Sequence, residues 1–221
     1  VQPSAGNAPY FIQWNSNKRS LGLDLADPRG RDLLLRMVPH YDVFVENYAL
    51  GVVEKLDIGY EVMRERNSRL IYARLKGFGL DGPYAKYRSF DPVAQAMGGA
   101  VSVTGESGRQ PLLPGTMTGD AGTGLPLALA ISAAYIQRQR TGRGQFIEIS
   151  MQEALTYFMR TAISGTGWGP TPQKRRGEGS AATMRLYPCM PFGDNDYVVI
   201  LCLTERMWVS LCAAMDRSDL I

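Results

Sequence analysis

The chain has 221 residues, of which 45% are hydrophobic and 20% charged, and a formal net charge of +3. That is an ordinary globular composition, long enough to bury a substantial core, and it excludes a disordered or fibrous chain. The mild charge argues against a dedicated nucleic-acid binder, which needs a clustered cationic face; the run Lys174, Arg175, Arg176 reads as a solvated loop.

The opening residues show no evident first element. Asp27 and Pro28 read as the cap and first position of a helix, continued by Leu33, Leu34, Met37 and Val38. A strand over 42–46 follows, then helical stretches over 52–56 and 60–66, and a second strand over 70–75. This alternation predicts an α/β fold with a parallel sheet. After a loop rich in Gly and Pro over 77–83, residues 90–97 read as helix. A hydrophobic helix begins at Asp120 and reaches about Tyr135, with Arg138, Arg140 and Arg143 at its end. Residues 145–149 read as a strand, 151–161 as helix, and 164–179 as a linker rich in Gly, Pro, Thr and basic residues. Beyond it, a turn over 192–195, a strand over 196–201 and a helix over 205–215 begin a second unit. The expected division is a large domain over 1–163, a linker over 164–185 and the start of a small domain over 186–221.

Asp120 stands among small residues, between Gly119 and Ala121-Gly122, where the longest apolar segment starts. An N-cap is the simple reading. A carboxylate there is also placed to act as a nucleophile, with its ionised form favoured near the positive helix end and backbone donors left accessible by Gly119, Ala121 and Gly122.

The spacing of Gly77, Gly79 and Gly82 matches G-x-G-x-x-G, but Pro83 and the polar stretch to Ser89 leave no helix to open within the glycines. That context does not support dinucleotide binding; a loop over a ligand is the better reading. Cys189, Cys202 and Cys212 are odd in number and lack Cys-x-x-Cys spacing, which fits a reduced, cytoplasmic setting with no disulfide framework and no zinc site. His40 is the single histidine and reads as a surface cap, so no His-x-x-x-His metal pair exists within the chain. Pro126 interrupts the apolar run after Asp120, and no membrane span or signal segment is expected.

Taken in series, six motifs resemble the family III CoA-transferases, the group that includes formyl-CoA transferase and carnitine CoA-transferase (CaiB/BaiF-like). They are Asn-Lys-Arg-Ser-Leu-Gly-Leu-Asp-Leu at 17–25, Val-Glu-Asn-Tyr at 45–48, Leu-Lys-Gly-Phe-Gly at 75–79, Phe-Asp-Pro-Val-Ala-Gln-Ala-Met-Gly-Gly at 90–99, Gly-Asp-Ala-Gly at 119–122 and Thr-Gly-Arg-Gly-Gln at 141–145. The resemblance implies a Rossmann-like parallel sheet with flanking helices, the start of a smaller second domain, and interlocked homodimers in the full-length protein. Family members are much longer, so the start and stop of this chain look like truncation. It further implies Asp120 as nucleophile, forming an aspartyl anhydride and then an aspartyl-CoA thioester while CoA moves from an acyl-CoA to a carboxylic acid. CoA is then a substrate, with no permanent cofactor, metal, nucleic acid or membrane partner.

CoA-binding positions carry over onto Leu23, Asp24, Leu25, Ala26, Asn47, Tyr48, Ala49, Lys55, Arg88, Ser89, Phe90 and Asp91. Lys55 stands where formyl-CoA transferase has an arginine. Lys55 and Arg88 are cations suited to the phosphates of CoA. Resembling enzymes that racemise 2-methylacyl-CoA place a histidine where this chain has Phe90, and racemisation needs an acid/base on each face of the α-carbon. Phe90 therefore favours transfer. The alternatives are a 2-methylacyl-CoA racemase and a non-catalytic CoA-binding or assembly subunit.

Overall fold

The computed structural model of the chain describes residues 9–167, 173–175, 177, 184–188 and 197–221. Helices α1 (Pro9–Asn15) and α2 (Pro28–Met37) precede strand β1 (Val43–Glu46), and α3 (Val52–Lys55) and α4 (Tyr60–Arg66) lead to β2 (Ile71–Lys76). Helices α5 (Asp91–Met97) and α6 (Ala100–Val103) and the long α7 (Asp120–Thr141) lead to β3 (Phe146–Ser150). There follow α8 (Met151–Phe158), α9 (Arg160–Gly167), β4 (Met184–Pro188), β5 (Tyr197–Leu201) and α10 (Glu205–Ala214).

Strands β1, β2 and β3 form a parallel sheet in that order, with Val43 opposite Ile71, Glu46 opposite Arg74 and Lys76 opposite Ser150. Because side chains alternate along a strand, the central β2 serves two cores. Ile71 and Ala73 pack against Leu127 and Ala134 of α7 and Ile147 of β3. Leu70 and Tyr72 pack against Leu35, Val53, Ile58 and Met63 on the opposite side. Burial on both faces suits the apolar residues Leu70 to Ala73 at the start of β2, and it yields helix, sheet and helix layers. The Tyr72 hydroxyl is pushed up to about 12, chiefly by this burial.

Local chemistry accounts for the element ends. Asp27 caps α2 by accepting from the Arg29 amide at 2.8 Å. Helix α7 stops where Gly142 turns left-handed at φ 72° and donates its amide to the Arg138 carbonyl at 2.8 Å. The next turn lets Gly144 touch β2, for a Cβ on Gly144 would lie 1.9 Å from the Leu70 carbonyl oxygen. Strand β3 can pair with β2 only because that side chain is missing.

Helix α7 runs unbroken through Pro126, its seventh residue, in line with the helix expected from Asp120 to about Tyr135; it gives up one backbone hydrogen bond there while packing holds the turn. Three features depart from the sequence expectation. Helix α1 forms at a stretch that carries no charged end signal. Helix α9 continues to Gly167, into the stretch expected as linker, although its Gly residues disfavour helix. Residues 184–188 pair antiparallel with β5 as a separate two-stranded sheet. The expected turn over 192–195 lies outside the described residues, as do Cys189 and Arg176. Among the described residues no helix is long and apolar enough to cross a membrane.

Candidate active site

The carboxyl ends of parallel strands are where an α/β sheet leaves room for ligands, and there the sequence places charge. Glu46 ends β1 with its side chain fully buried, and meets Arg74 at 2.6 Å and Lys76 at 2.8 Å on the neighbouring strand. Arg74 also reaches Glu54 on α3 at 2.8 Å. Burial is the strongest single influence on the Glu54 carboxyl and acts to raise it, yet the carboxyl stays below its ordinary range because the hydrogen bond and charge of Arg74, a backbone hydrogen bond and the charge of Lys76 together outweigh burial. The cluster is tied to the 47–49 loop at both polar atoms of one peptide: the Tyr48 amide donates to Glu46 Oε2 at 2.9 Å, and Lys76 Nζ donates to the Tyr48 carbonyl. Asn47, Tyr48 and Ala49 themselves remain exposed.

At the end of β2 the chain turns through Gly77, where a Cβ would lie 2.2 Å from that of Ser89. This contact brings 88–91 beside the strand end. Phe90 occupies the N-cap position of α5 without a side-chain cap bond and is 74% exposed, so its ring is available to a ligand. Residues 77–90 contain no helix, which removes the dinucleotide fingerprint on structural grounds.

Asp91 does not face solvent as a ligand-binding carboxylate would. Its Oδ1 accepts from the amides of Gly119 at 2.7 Å and Asp120 at 3.1 Å, so it caps α7 from another element. The approach is tight: a Cβ on Gly119 would lie 2.8 to 2.9 Å from the backbone and carboxylate of Asp91.

Asp120 is the first residue of α7 and makes no side-chain cap bond. The N-cap reading of Asp120 is therefore corrected: Gly119 holds the N-cap position and Asp120 already lies within α7. Asp120 is solvent exposed, and its side chain has no hydrogen-bond partner among the described residues. The expected bias toward ionisation is corrected too. The carboxyl is held above the ordinary aspartate value, first by burial of the carboxyl against its surroundings and then by the charge of Asp91. The Gly119 amide is likewise no free oxyanion donor, and the Ala121 amide donates to the Met117 carbonyl at 2.9 Å. Gly122 is buried against Phe158, where a Cβ would come within 3.0 Å of the ring.

The remaining expected positions are spread along the same side of the chain's loops. Asp24 turns the 24–26 segment by accepting from the Ala26 amide at 2.9 Å, and its carbonyl sits where a Cβ on Gly30 would come within 2.0 Å. Leu25 packs on the core, while Asp24 and Ala26 are exposed and Leu23 is half-buried. Lys55 closes α3, and Lys55 and Arg88 are exposed with no ion pair among the described residues, free to meet an anion. Contacts thus link Tyr48, Lys76, Gly77, Ser89, Phe90, Asp91 and Asp120 into one series. Among the described residues no hydrogen bond or ion pair joins 23–26 or Lys55 to Asp120. Sequence reasoning passed over Glu46, Arg74, Lys76 and Gln95, whose roles depend on register and on a turn 21 residues away. Among the described residues no three His, Cys, Asp or Glu side chains cluster to hold a metal ion.

Comparison with known proteins bears on this arrangement. The model of a family described as CoA-transferase family III matches residues 1–221. The chain is 36% identical over 226 residues to a formyl-CoA:oxalate CoA-transferase of Streptomyces avermitilis, covering 96% of this chain and 55% of that protein. It is 38% identical over 218 residues to a succinyl-CoA:mesaconate CoA-transferase of Haloarcula hispanica, covering 96% and 54% respectively. A crystal structure of a CAIB/BAIF family protein from Brucella suis superposes with a TM-score of 0.79 at 31% identity, over 91% of this chain and 53% of that one. The chain therefore spans about half the length of the curated relatives it matches.

Proposed function

The chain belongs to CoA-transferase family III, and we propose from that premise that it carries the nucleophile and part of the CoA site of an enzyme that moves CoA from an acyl-CoA thioester to a free carboxylic acid. The observation that carries this reading is the state of Asp120: an exposed carboxylate without a hydrogen-bond partner among the described residues, beside a second carboxylate that already accepts the Gly119 and Asp120 amides. Such a group is poised for attack, since nothing must be broken to release its lone pairs. A raised pKa also makes its ionised form the stronger nucleophile.

The steps follow from that carboxylate. Its oxygen adds to the thioester carbonyl, the C–S bond breaks, and CoA leaves as thiolate, giving a mixed aspartyl anhydride. The thiolate attacks the aspartyl carbonyl, forming an aspartyl-CoA thioester and releasing the donor acid as carboxylate. The acceptor carboxylate then attacks this thioester and the sequence runs in reverse, restoring Asp120. Lys55 and Arg88, both exposed and without an ion pair among the described residues, are assigned to the phosphates of CoA, and the 47–49 and 88–91 loops to its body. Phe90 has no proton to move, which favours transfer over racemisation.

Two further parts belong to this reading. The outward apolar residues of α7, with Leu125 and Leu129 each 71% exposed, support an interlocked homodimer for the full-length protein. A cytoplasmic setting fits cysteines that are odd in number and widely spaced.

The test is mass spectrometry of the protein after incubation with succinyl-CoA or formyl-CoA. A CoA or acyl adduct on the Asp120 peptide is expected, absent in Asp120→Ala. An adduct elsewhere, or one that survives in Asp120→Ala, would show the nucleophile to be another residue.

A further inference from the structure

We propose that Gln95 is a positioning residue for Asp120, acting through Asp91; the inference rests on the reading of Asp120 as nucleophile. Gln95 lies one helical turn after Asp91 on α5 and is 1% exposed. Its Nε2 donates to Asp91 Oδ2 at 2.5 Å and to the Thr116 carbonyl at 2.9 Å. Both partners are acceptors, so the amide has one orientation. The other oxygen of Asp91 holds the Gly119 and Asp120 amides. One side chain therefore ties together α5, the turn at Thr116 and the residue that starts α7.

The carboxylate of Asp91 cannot turn about its own bond without breaking one of these links. Without Gln95, Oδ2 loses its donor and Asp91 is free to rotate, and with it the backbone that carries Asp120. Reacting groups must be held within about an ångström of their productive geometry, and such a misplacement costs roughly 100-fold in rate.

A second observation separates position from packing. Gln95 Oε1 is buried with no hydrogen-bond partner among the described residues. An apolar side chain of the same shape would remove this unpaired acceptor but leave Asp91 Oδ2 and the Thr116 carbonyl without their donor. What the amide supplies that an apolar group cannot is the donor to Asp91.

The experiment compares the parent protein with Gln95→Met, which keeps the shape and removes the donor, and Gln95→Asn, which keeps the amide one methylene short. Steady-state transfer from succinyl-CoA, its pH profile and adduct formation on Asp120 are measured for each, with the melting temperature as a control. Gln95→Met is expected to lower kcat roughly 10- to 100-fold while KM for succinyl-CoA changes less than about threefold, because the CoA-binding loops are untouched. Its acid limb is expected to move up, since the Asp91 charge, the charged group that bears on Asp120, is no longer shared with an amide. Gln95→Asn should fall between the two, and it carries the comparison where Gln95→Met does not fold. Parent-like kcat and acid limb in the folded variants, whatever the melting temperature, would overturn the proposal and leave Gln95 a packing residue. Absence of the Asp120 adduct in the parent itself would overturn the nucleophile reading, and the positioning role with it.

Discussion

At the scale of single residues, the pair Asp91 and Asp120 shows how one helix start divides two roles between two carboxylates. Asp91 accepts the first amides of α7 and is thereby satisfied. Asp120 is left without them, in a position where its charge is opposed by burial and by Asp91. The sign of the linkage is definite. A carboxyl whose folded value lies above its ordinary 3.8 contributes stability that is fully present below that value and lost as pH rises through the folded value. Asp120→Asn should consequently raise the melting temperature at pH 7, and the gain should vanish toward pH 3. Because Asp120 is exposed, solvent screening keeps the gain to about 1–2 °C. Differential scanning calorimetry across that range checks it, and a lower melting temperature at pH 7 would contradict the assignment.

At the scale of elements, the sheet is held at its functional end by charge and at its other end by close backbone contact. Glu46 lies between Arg74 and Lys76 with its side chain wholly buried, so Glu46→Gln leaves two cations short of a counter-charge. Loss of one partner from such a buried group costs about 3–5 kcal/mol. Urea denaturation should show that loss, and should show the 47–49 loop loosened in hydrogen exchange at the Tyr48 amide, which donates to Glu46. At Gly144, whose missing side chain leaves 1.9 Å to the Leu70 carbonyl oxygen, Gly144→Ala must push β3 away from β2. The neighbour is backbone and cannot step aside, so the cost is expected at or above the usual 1–3 kcal/mol of overpacking. A variant as stable as its parent would mean that the turn at 142–144 relaxes independently of the sheet.

At the scale of the whole molecule, α7 is the element that looks outward. Its core side carries Leu127 and Ala134, while Leu125 and Leu129, one turn apart, are each 71% exposed and Ile136 is 59% exposed. A helix apolar on all sides belongs in an interior, and under the proposed homodimer another copy of the chain would supply the second cover. Analytical ultracentrifugation should find the protein dimeric and the double variant Leu125→Asp, Leu129→Asp largely monomeric; an unchanged dimer would move the interface elsewhere. Much of this molecule was legible in its sequence because periodicity and caps are local: the Asp27-Pro28 start of α2, the apolar runs of β2 and β3 and the long helix after Asp120 all lie where the pattern put them. Helix α1 and the antiparallel pairing of β4 with β5 were not: the first has no charged end signal, and the second is a contact between separate segments. The sequence by itself determined the family, through motifs whose order and residue types survive without coordinates, and it singled out Asp120. Only the tertiary structure decided what surrounds that carboxylate. Asp91 stands 29 positions away and Gln95 reaches a carbonyl 21 positions away, and such partners are set by where the start of α5 meets the start of α7, which no local pattern encodes.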